Sequence, residues 1–422
     1  MKKAKEKQGN NKNNFQFSTL NFPFKKFAER LVRGLLTLSG GITSLVILLI
    51  IIFLFKEGIG LFKSPVVEKG YVICLNGKNP VGELNPTQIK DIFNWDITDW
   101  KELGGREGEI MPFRFEEIFS MYSDEELGED YSLLSEKLGE VIAKEPNIIA
   151  FIPEQYAPKN NMDVKTLPEE NIKVADFFGG KEWLPTALPA PQFGVLPLIL
   201  GTLWVSFFAI LIALPLGLGV AVFLSELASE PVRKILKPAI ELLAGIPSVV
   251  YGFFGLVVIV PLIQRFFDLP VGETAFAGSL ILAVMALPTI ITIAEDAMRN
   301  TPKTMREASL GVGASHWQTI YRVVIPYASS GISAAVVLGI GRAIGETMAV
   351  LMVTGNAAVI PHSLFAPVRT IPATIAAELG EAPAGGAHYQ SLFMLGCILF
   401  IITLIISISA EMFNKKQQNK GV

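Results

Sequence analysis

The chain is poor in the residue types that build chemistry of their own. Among 422 residues there are two cysteines, Cys74 and Cys397, and three histidines, His316, His362 and His388. Two cysteines so far apart give no disulfide framework and read as small buried hydrophobes. The histidines are scattered rather than set at ligand spacing, so no metal site is expected. No Gly-x-x-x-x-Gly-Lys-Ser/Thr phosphate loop occurs anywhere in the chain, which excludes nucleotide hydrolysis by that device. No catalytic residue is assigned, and nothing points to a nucleic-acid partner. Charge is scarce too: 18% of residues are Asp, Glu, Lys or Arg.

Apolar length is what the chain has. Half the residues are hydrophobic and mean hydropathy is +0.44, the profile of a polytopic membrane protein carrying some soluble mass. Gly34 to Phe55 is 22 residues without a charge, about the length that crosses a hydrocarbon core as helix. Five more spans are expected at Leu196 to Leu224, Leu242 to Gln264, Thr274 to Ala294, Ser329 to Val353 and Leu392 to Ala410. Gly and Pro recur inside them, as in Gly245-Ile246-Pro247 and Leu287-Pro288, and packed neighbouring helices tolerate such breaks. The reading is an all-α polytopic bundle of six spans, with a basic tail over 1–33, the first span over 34–56, an α/β insertion over 64–192, the remaining spans over 193–412 and a short tail over 413–422.

Loop charge orients the bundle. Nine Lys/Arg precede the first span against Glu6 and Glu29, so the N-terminus is expected in the cytoplasm. With six spans the C-terminus lies there too, in agreement with Lys415-Lys416, and the loop holding Arg299, Lys303, Arg306 and Arg322 falls on the same side. The first span is too long for a cleaved signal peptide and lacks a small-x-small site after it. Met1 to about Asn14 reads as a disordered tail.

The insertion then lies outside the cytoplasm. Tyr71 to Leu75 and Ile148 to Pro153 look like strands. Asn85-Pro86 is a cap and first-turn pair for a helix burying Ile89, Ile92 and Phe93, and Asp130 to Ala143 carries apolar residues at helical spacing. The strings from Asn79 to Gly105 resemble one lobe of the periplasmic phosphate-binding proteins. Those proteins follow an Arg with a Gly-Ser-Gly-Thr type turn that cradles the anion, whereas here Arg114 is followed by Phe115-Glu116-Glu117, whose carboxylates repel an anion at a helix start. From Glu57 to Val195 there are 25 Asp/Glu against 13 Lys/Arg, a net charge of −12, poor at concentrating phosphate. The insertion reads as a degenerate lobe that docks or modulates a partner, or as a passive spacer.

Two segments carry the remaining signal. Gly341-Arg342-Ala343-Ile344-Gly345-Glu346-Thr347 sets an Arg and a Glu at i and i+4, expected on one face of one helix, beside a Gly341/Gly345 pair that permits close helix contact. Charges at such depth usually face a bundle interior or an aqueous path. A guanidinium matches phosphate oxygens, and the Glu346 carboxylate can accept from the P–OH that phosphate keeps near neutral pH and sulfate lacks. A structural ion pair between Arg342 and Glu346 is the alternative. Glu307-Ala308-Ser309-Leu310-Gly311-Val312-Gly313, nine residues, then Val323-Val324-Ile325-Pro326 resembles the EAA loop of ABC importer permeases, with Ser309, Val323 and Ile325 departing from its pattern. Its small residues permit close approach to a partner, and Pro326 is expected to end the turn before the fifth span, one continuous helix linking loop to Arg342.

Gly341 to Val350, Val353-Thr354-Gly355-Asn356 and Leu243 to Gly252 together resemble the C-type permease subunits (PstC) of bacterial phosphate ABC importers, over most of 192–412. The resemblance implies a six-span permease (MetI-like) bundle with Arg342, Glu346 and Thr347 on the substrate pathway, and an EAA-like loop over 299–326 in which Glu307, Ala308, Gly313 and Pro326 meet an ATPase. It implies as partners a sibling permease (PstA-like), two copies of a cytoplasmic ATPase (PstB-like) that use ATP and Mg, and an external phosphate-binding protein (PstS-like), with no cofactor in this chain. The chain is expected in the cell membrane and is no enzyme by itself. A permease for another oxyanion such as molybdate or sulfate stays open, as does a membrane sensor with an external domain.

Overall fold

The computed structural model describes residues 23–418 apart from Asn160; the opening segment read as a disordered tail and the last four residues lie outside them. The chain divides after Phe53 into two compact units. The first contributes most of helix α1 (Pro23–Gly60). Its stretch of exposed Leu, Ile and Val is apolar all round, as a helix facing lipid is, and Arg30–Lys63 is long and apolar enough to cross a membrane.

The second unit opens with the insertion. Strands β1 (Tyr71–Asn76), β2 (Met111–Arg114), β3 (Ile148–Pro153) and β4 (Val164–Thr166) form one sheet in the order β2-β3-β1-β4. β3 runs antiparallel to β1 and parallel to β2. Side chains alternate across the pleat. Val72, Cys74, Ala150 and Ile152 face a core completed by α3 (Leu134–Lys144), while Ile73, Leu75, Ile149 and Phe151 face α2 (Pro86–Phe93) and Trp100. The expected cap on α2 forms as a reciprocal box: Asn85 Oδ1 accepts from Gln88 N–H at 2.8 Å and Gln88 Oε1 from Asn85 N–H at 3.0 Å. α3 begins later than the periodicity implied, because Asp130 and Tyr131 take φ of 53° and 58°, which no helix continues through.

The core beneath α2 does not stop at the sheet. It runs on through a small hairpin, β5 (Trp183–Leu184) paired with β6 (Gln192–Phe193), to Leu198, Ile371, Leu392 and Leu395 of the apolar bundle. Insertion and bundle share one hydrophobic cluster, so burial of this kind orders them as a single body. Both cysteines are free and buried, as expected.

The bundle is built from α4 (Leu196–Val222), α6 (Ser248–Phe266), α7 (Ala275–Arg299), α10 (Ser329–Gly345) and α13 (Ala387–Gln418), with α7 the most buried. Gly217 of α4 and Gly339 of α10 both lie against Ile290 of α7, so α7 is gripped from two sides through positions with no side chain to hold it off. Among the described residues five helices can cross a membrane by length and composition, and a bent pair, His316–Tyr327 with Ser329–Gly345, makes a sixth if it is one span.

Three expectations change here. The third span starts at Ser248 rather than Leu242, because Leu242–Ala244 close a separate amphipathic helix, α5 (Glu230–Ala244), ahead of Pro247, and the residue before a proline is driven out of the helical region. The fifth span is not one helix to Val353: α10 stops at Gly345 and α11 (Met348–Val353) follows. Gly341 and Gly345 make no close contact within the chain; a Cβ at either would meet open space, the tight glycines of α10 being Gly331 and Gly339.

This contrast is testable. A Cβ at Gly201 would be driven into the Arg369 backbone carbonyl, and overpacking against backbone costs about 1–3 kcal/mol. Gly201→Ala should lower the Tm of the detergent-purified protein measurably, whereas Gly341→Ala should leave it unchanged.

Candidate functional site

The break in the fifth span is where sequence and geometry meet. Glu346 takes φ −71° and ψ 131°, an extended conformation, and Thr347 φ −113° and ψ −63°. Gly341 and Gly345 weaken the last turn of α10 and Thr347 is β-branched, so local preference sides with the break. Part of the freed backbone is satisfied by the same residues. The Thr347 hydroxyl donates to the Gly345 carbonyl at 3.3 Å, and Glu346 Oε1 accepts from Ala349 N–H at the start of α11 at 3.3 Å. Arg342 and Glu346 therefore do not share one face of a continuous helix. Among the described residues no ion pair joins them; Arg342 Nη1 instead lies 3.4 Å from Thr289 Oγ1 on α7, next to Pro288. All three of Arg342, Glu346 and Thr347 are half-buried. Among the described residues this guanidinium has a hydroxyl and no carboxylate as its hydrogen-bond partner, which leaves most of its five donors for other acceptors.

On the other side of Pro326 the EAA-like segment folds as two short helices. α8 (Lys303–Gly311) turns at Gly313, whose φ of 88° is open to glycine at little cost, into α9 (His316–Tyr327). Ser315 and Gln318 cap α9 reciprocally, and the Ser309 and Thr319 hydroxyls lie 2.9 Å apart across the turn. Arg306 binds α8 to the bundle: its Nη2 donates to Glu226, in the turn Phe223–Leu227 that follows α4, and to the Met298 carbonyl of α7, both at 2.8 Å. Glu307, Ala308 and Gly313 are exposed, with Val312 and Trp317 beside them. Pro326 sits within the end of α9 rather than terminating it, and the chain bends by 70° between α9 and α10, so no continuous helix links the loop to Arg342. Ala328, at φ −80° and ψ 1°, carries the bend.

A family model described as binding-protein-dependent transport system inner membrane component matches residues 213–419. A probable ABC transporter permease, YqgH of Bacillus subtilis (strain 168), is 42% identical over 234 residues, covering 56% of this chain and 75% of that protein. The phosphate transport system permease protein PstC of Mesorhizobium japonicum is 43% identical over 265 residues, 58% of this chain and 80% of that one. A chain of the inward-facing MetNI methionine ABC transporter aligns over 53% of this chain and 95% of its own with 19% identity and a TM-score of 0.42. The chain belongs to the binding-protein-dependent transport inner membrane components, on their PstC-type branch.

Both segments of the permease that sequence singled out lie inside the matched region, and the insertion precedes it. Sequence reasoning missed Thr289, since a lone Thr on an apolar helix carries no signal. It also missed the role of Arg306, which it had counted only for orientation. The Arg306 contacts make a forecast. Glu226 has one ion-pair partner among the described residues and is largely buried, and a buried carboxylate stripped of its donor loses about 1–3 kcal/mol. Arg306→Ala should destabilise the purified permease by about that amount in thermal unfolding, and Arg306→Lys by less.

Proposed function

We propose that this permease forms, with a sibling permease, the transmembrane path for inorganic phosphate in an ATP-driven importer. The observation that carries this is Arg342, a guanidinium on a span with no carboxylate partner among the described residues, one turn from the break at Glu346. Broken helices inside a bundle are tolerated where the freed backbone lines a cavity, and such places mark substrate sites in transporters. Arg342 supplies the planar fork of donors for phosphate oxygens. Thr347 adds a hydroxyl, and the Glu346 carboxylate accepts a hydrogen bond from the P–OH that phosphate keeps and sulfate lacks. The PstC relatives support phosphate as the solute.

ATP and Mg are used by a separate ATPase present in two copies, one of which docks on the exposed face of α8 and α9, where Glu307 and Trp317 stand. Because the chain bends by 70° at Ala328, force from that loop travels through Arg306 into the ends of α4 and α7 as well as along α10. An external phosphate-binding protein delivers the solute. Both termini are cytoplasmic, as the loop charges imply.

Two outcomes follow for the reconstituted complex in proteoliposomes. Arg342→Gln should cut ATP-driven phosphate uptake roughly 100-fold, the loss expected when a buried charged hydrogen-bond partner is truncated, with ATP hydrolysis continuing. Full uptake by the Arg342→Gln, Glu346→Gln double variant would remove the pathway role, and competition by sulfate or molybdate as effective as by phosphate would reassign the solute. Substituting Glu307 or Gly313 should uncouple ATP hydrolysis from transport; unchanged coupling would leave the loop without its assigned partner.

A further inference from the structure

The hairpin that joins insertion to bundle carries two charged connections on adjacent residues. Glu182 faces the insertion: its Oε2 accepts from Lys90 Nζ at 2.5 Å, and Asp91 lies 3.2 Å from the same ammonium. Burial works to lower the Lys90 pKa, but the hydrogen bonds it donates to Glu182 and Asp91 prevail and hold it above the ordinary lysine value. Gln192 on the opposite strand donates to the Pro86 carbonyl at 2.9 Å, fastening the hairpin to α2 a second time.

Trp183, the next residue, faces the bundle. Its indole N–H donates to both oxygens of Glu378, at 3.0 and 3.2 Å. Glu378 is the last residue of α12 (Ile371–Glu378). The same carboxylate accepts from Arg369 Nη1 at 2.7 Å and lies 3.0 Å from His388 Nε2 at the start of α13. All three partners are largely buried, so the network is not a loose surface pairing.

Arg369 carries the connection onward. Its Nε donates to the Asn356 carbonyl at 2.9 Å. Gly355 and Asn356 sit at φ of 75° and 53°, a tight turn directly after α11. Val368 N–H closes it by donating to the Thr354 carbonyl at 2.9 Å. α11 in turn begins at Met348, beside Glu346 and Thr347. One carboxylate thus stands between the insertion and the segment that follows the break in the fifth span.

We propose that Glu378 is a positioning residue through which the insertion clamps the outer end of the broken fifth span. This deepens the pathway reading above and rests on it for the word outer. The insertion is then a built-in regulator of the path, held to it by Trp183, and neither a tethered receptor nor a passive spacer. Glu117 supports that division: its Oε1 accepts from Arg114 N–H at 3.0 Å, filling with the protein's own carboxylate the turn where a phosphate-binding lobe would offer amides.

Hydrogen–deuterium exchange on the full-length chain in its assembled complex, without added phosphate, tests the clamp. Trp183→Phe keeps the aromatic packing on Phe193 and removes only the donor. The clamp requires faster exchange in two places beyond the hairpin, about tenfold over 354–369 and over 371–379, the change that loss of one hydrogen bond to a charged group gives, with α7 unchanged. Glu378→Gln should reproduce the pattern. A rise confined to 180–194 in both variants would overturn the clamp and make the contact a local tie. The initial uptake rate at saturating phosphate should also change in Trp183→Phe, while the half-saturating concentration stays the same. Exchange needs no transported solute: the spreading pattern in a complex that carries sulfate instead would support the clamp while contradicting the solute assigned above.

Discussion

A backbone that leaves the helix inside a membrane must find partners for its freed carbonyls and amides, and this constraint governs the architecture around Glu346. The chain meets it with residues already at the break, the Thr347 hydroxyl on one side and the Glu346 carboxylate on the other. Glu346 thereby caps the start of α11, and among the described residues it makes no ion pair with Arg342. A straight helix would have brought the two together at i and i+4 and cancelled their charges. Breaking it leaves a cation whose recorded partner is a hydroxyl on α7. We read this arrangement as an anion site rather than a structural ion pair.

The rest of the second unit keeps that break in place. α7 is the most buried helix of the bundle and is gripped at Ile290 through Gly217 and Gly339. At one end Arg306 fastens α8 to α4 and α7; at the other the hairpin around Trp183 fastens the insertion to α12 and α13. The insertion joins its own core to the bundle through one continuous cluster that reaches Leu198, Ile371, Leu392 and Leu395. Its negative charge, unsuited to gathering phosphate, is no obstacle to a structural and regulatory role.

Much of this was legible in the chain itself. Apolar length located the spans, the second and fourth to within a few residues, and the reciprocal cap at Asn85 and Gln88 appears where Asn-Pro placed it. The short apolar runs at Tyr71 and Ile148 read as strands, and they form β1 and β3, buried on both faces of the sheet. What sequence misjudged has a common physical cause. Helical spacing says that i and i+4 share a face only if the helix persists, and local preferences around Gly345 and Thr347 outweighed persistence. The same applies to Pro326, read as a stop when the bend falls at Ala328. Gly341 and Gly345 resemble a packing motif, but whether a small residue touches a neighbour depends on the helix face, and within this chain Gly331 and Gly339 hold that face. The Glu378 network was invisible for another reason: Trp183 is 195 residues away from its acceptor, and no periodic pattern encodes that pairing.

The central claim is that the broken fifth span presents Arg342 to an anion. It is tested most directly by a structure of the assembled complex trapped with phosphate in the membrane path. The account predicts phosphate within hydrogen-bond reach of Arg342, beside a helix still interrupted at Glu346 and Thr347. Phosphate bound elsewhere, with Arg342 paired to Glu346 in an unbroken helix, would contradict it.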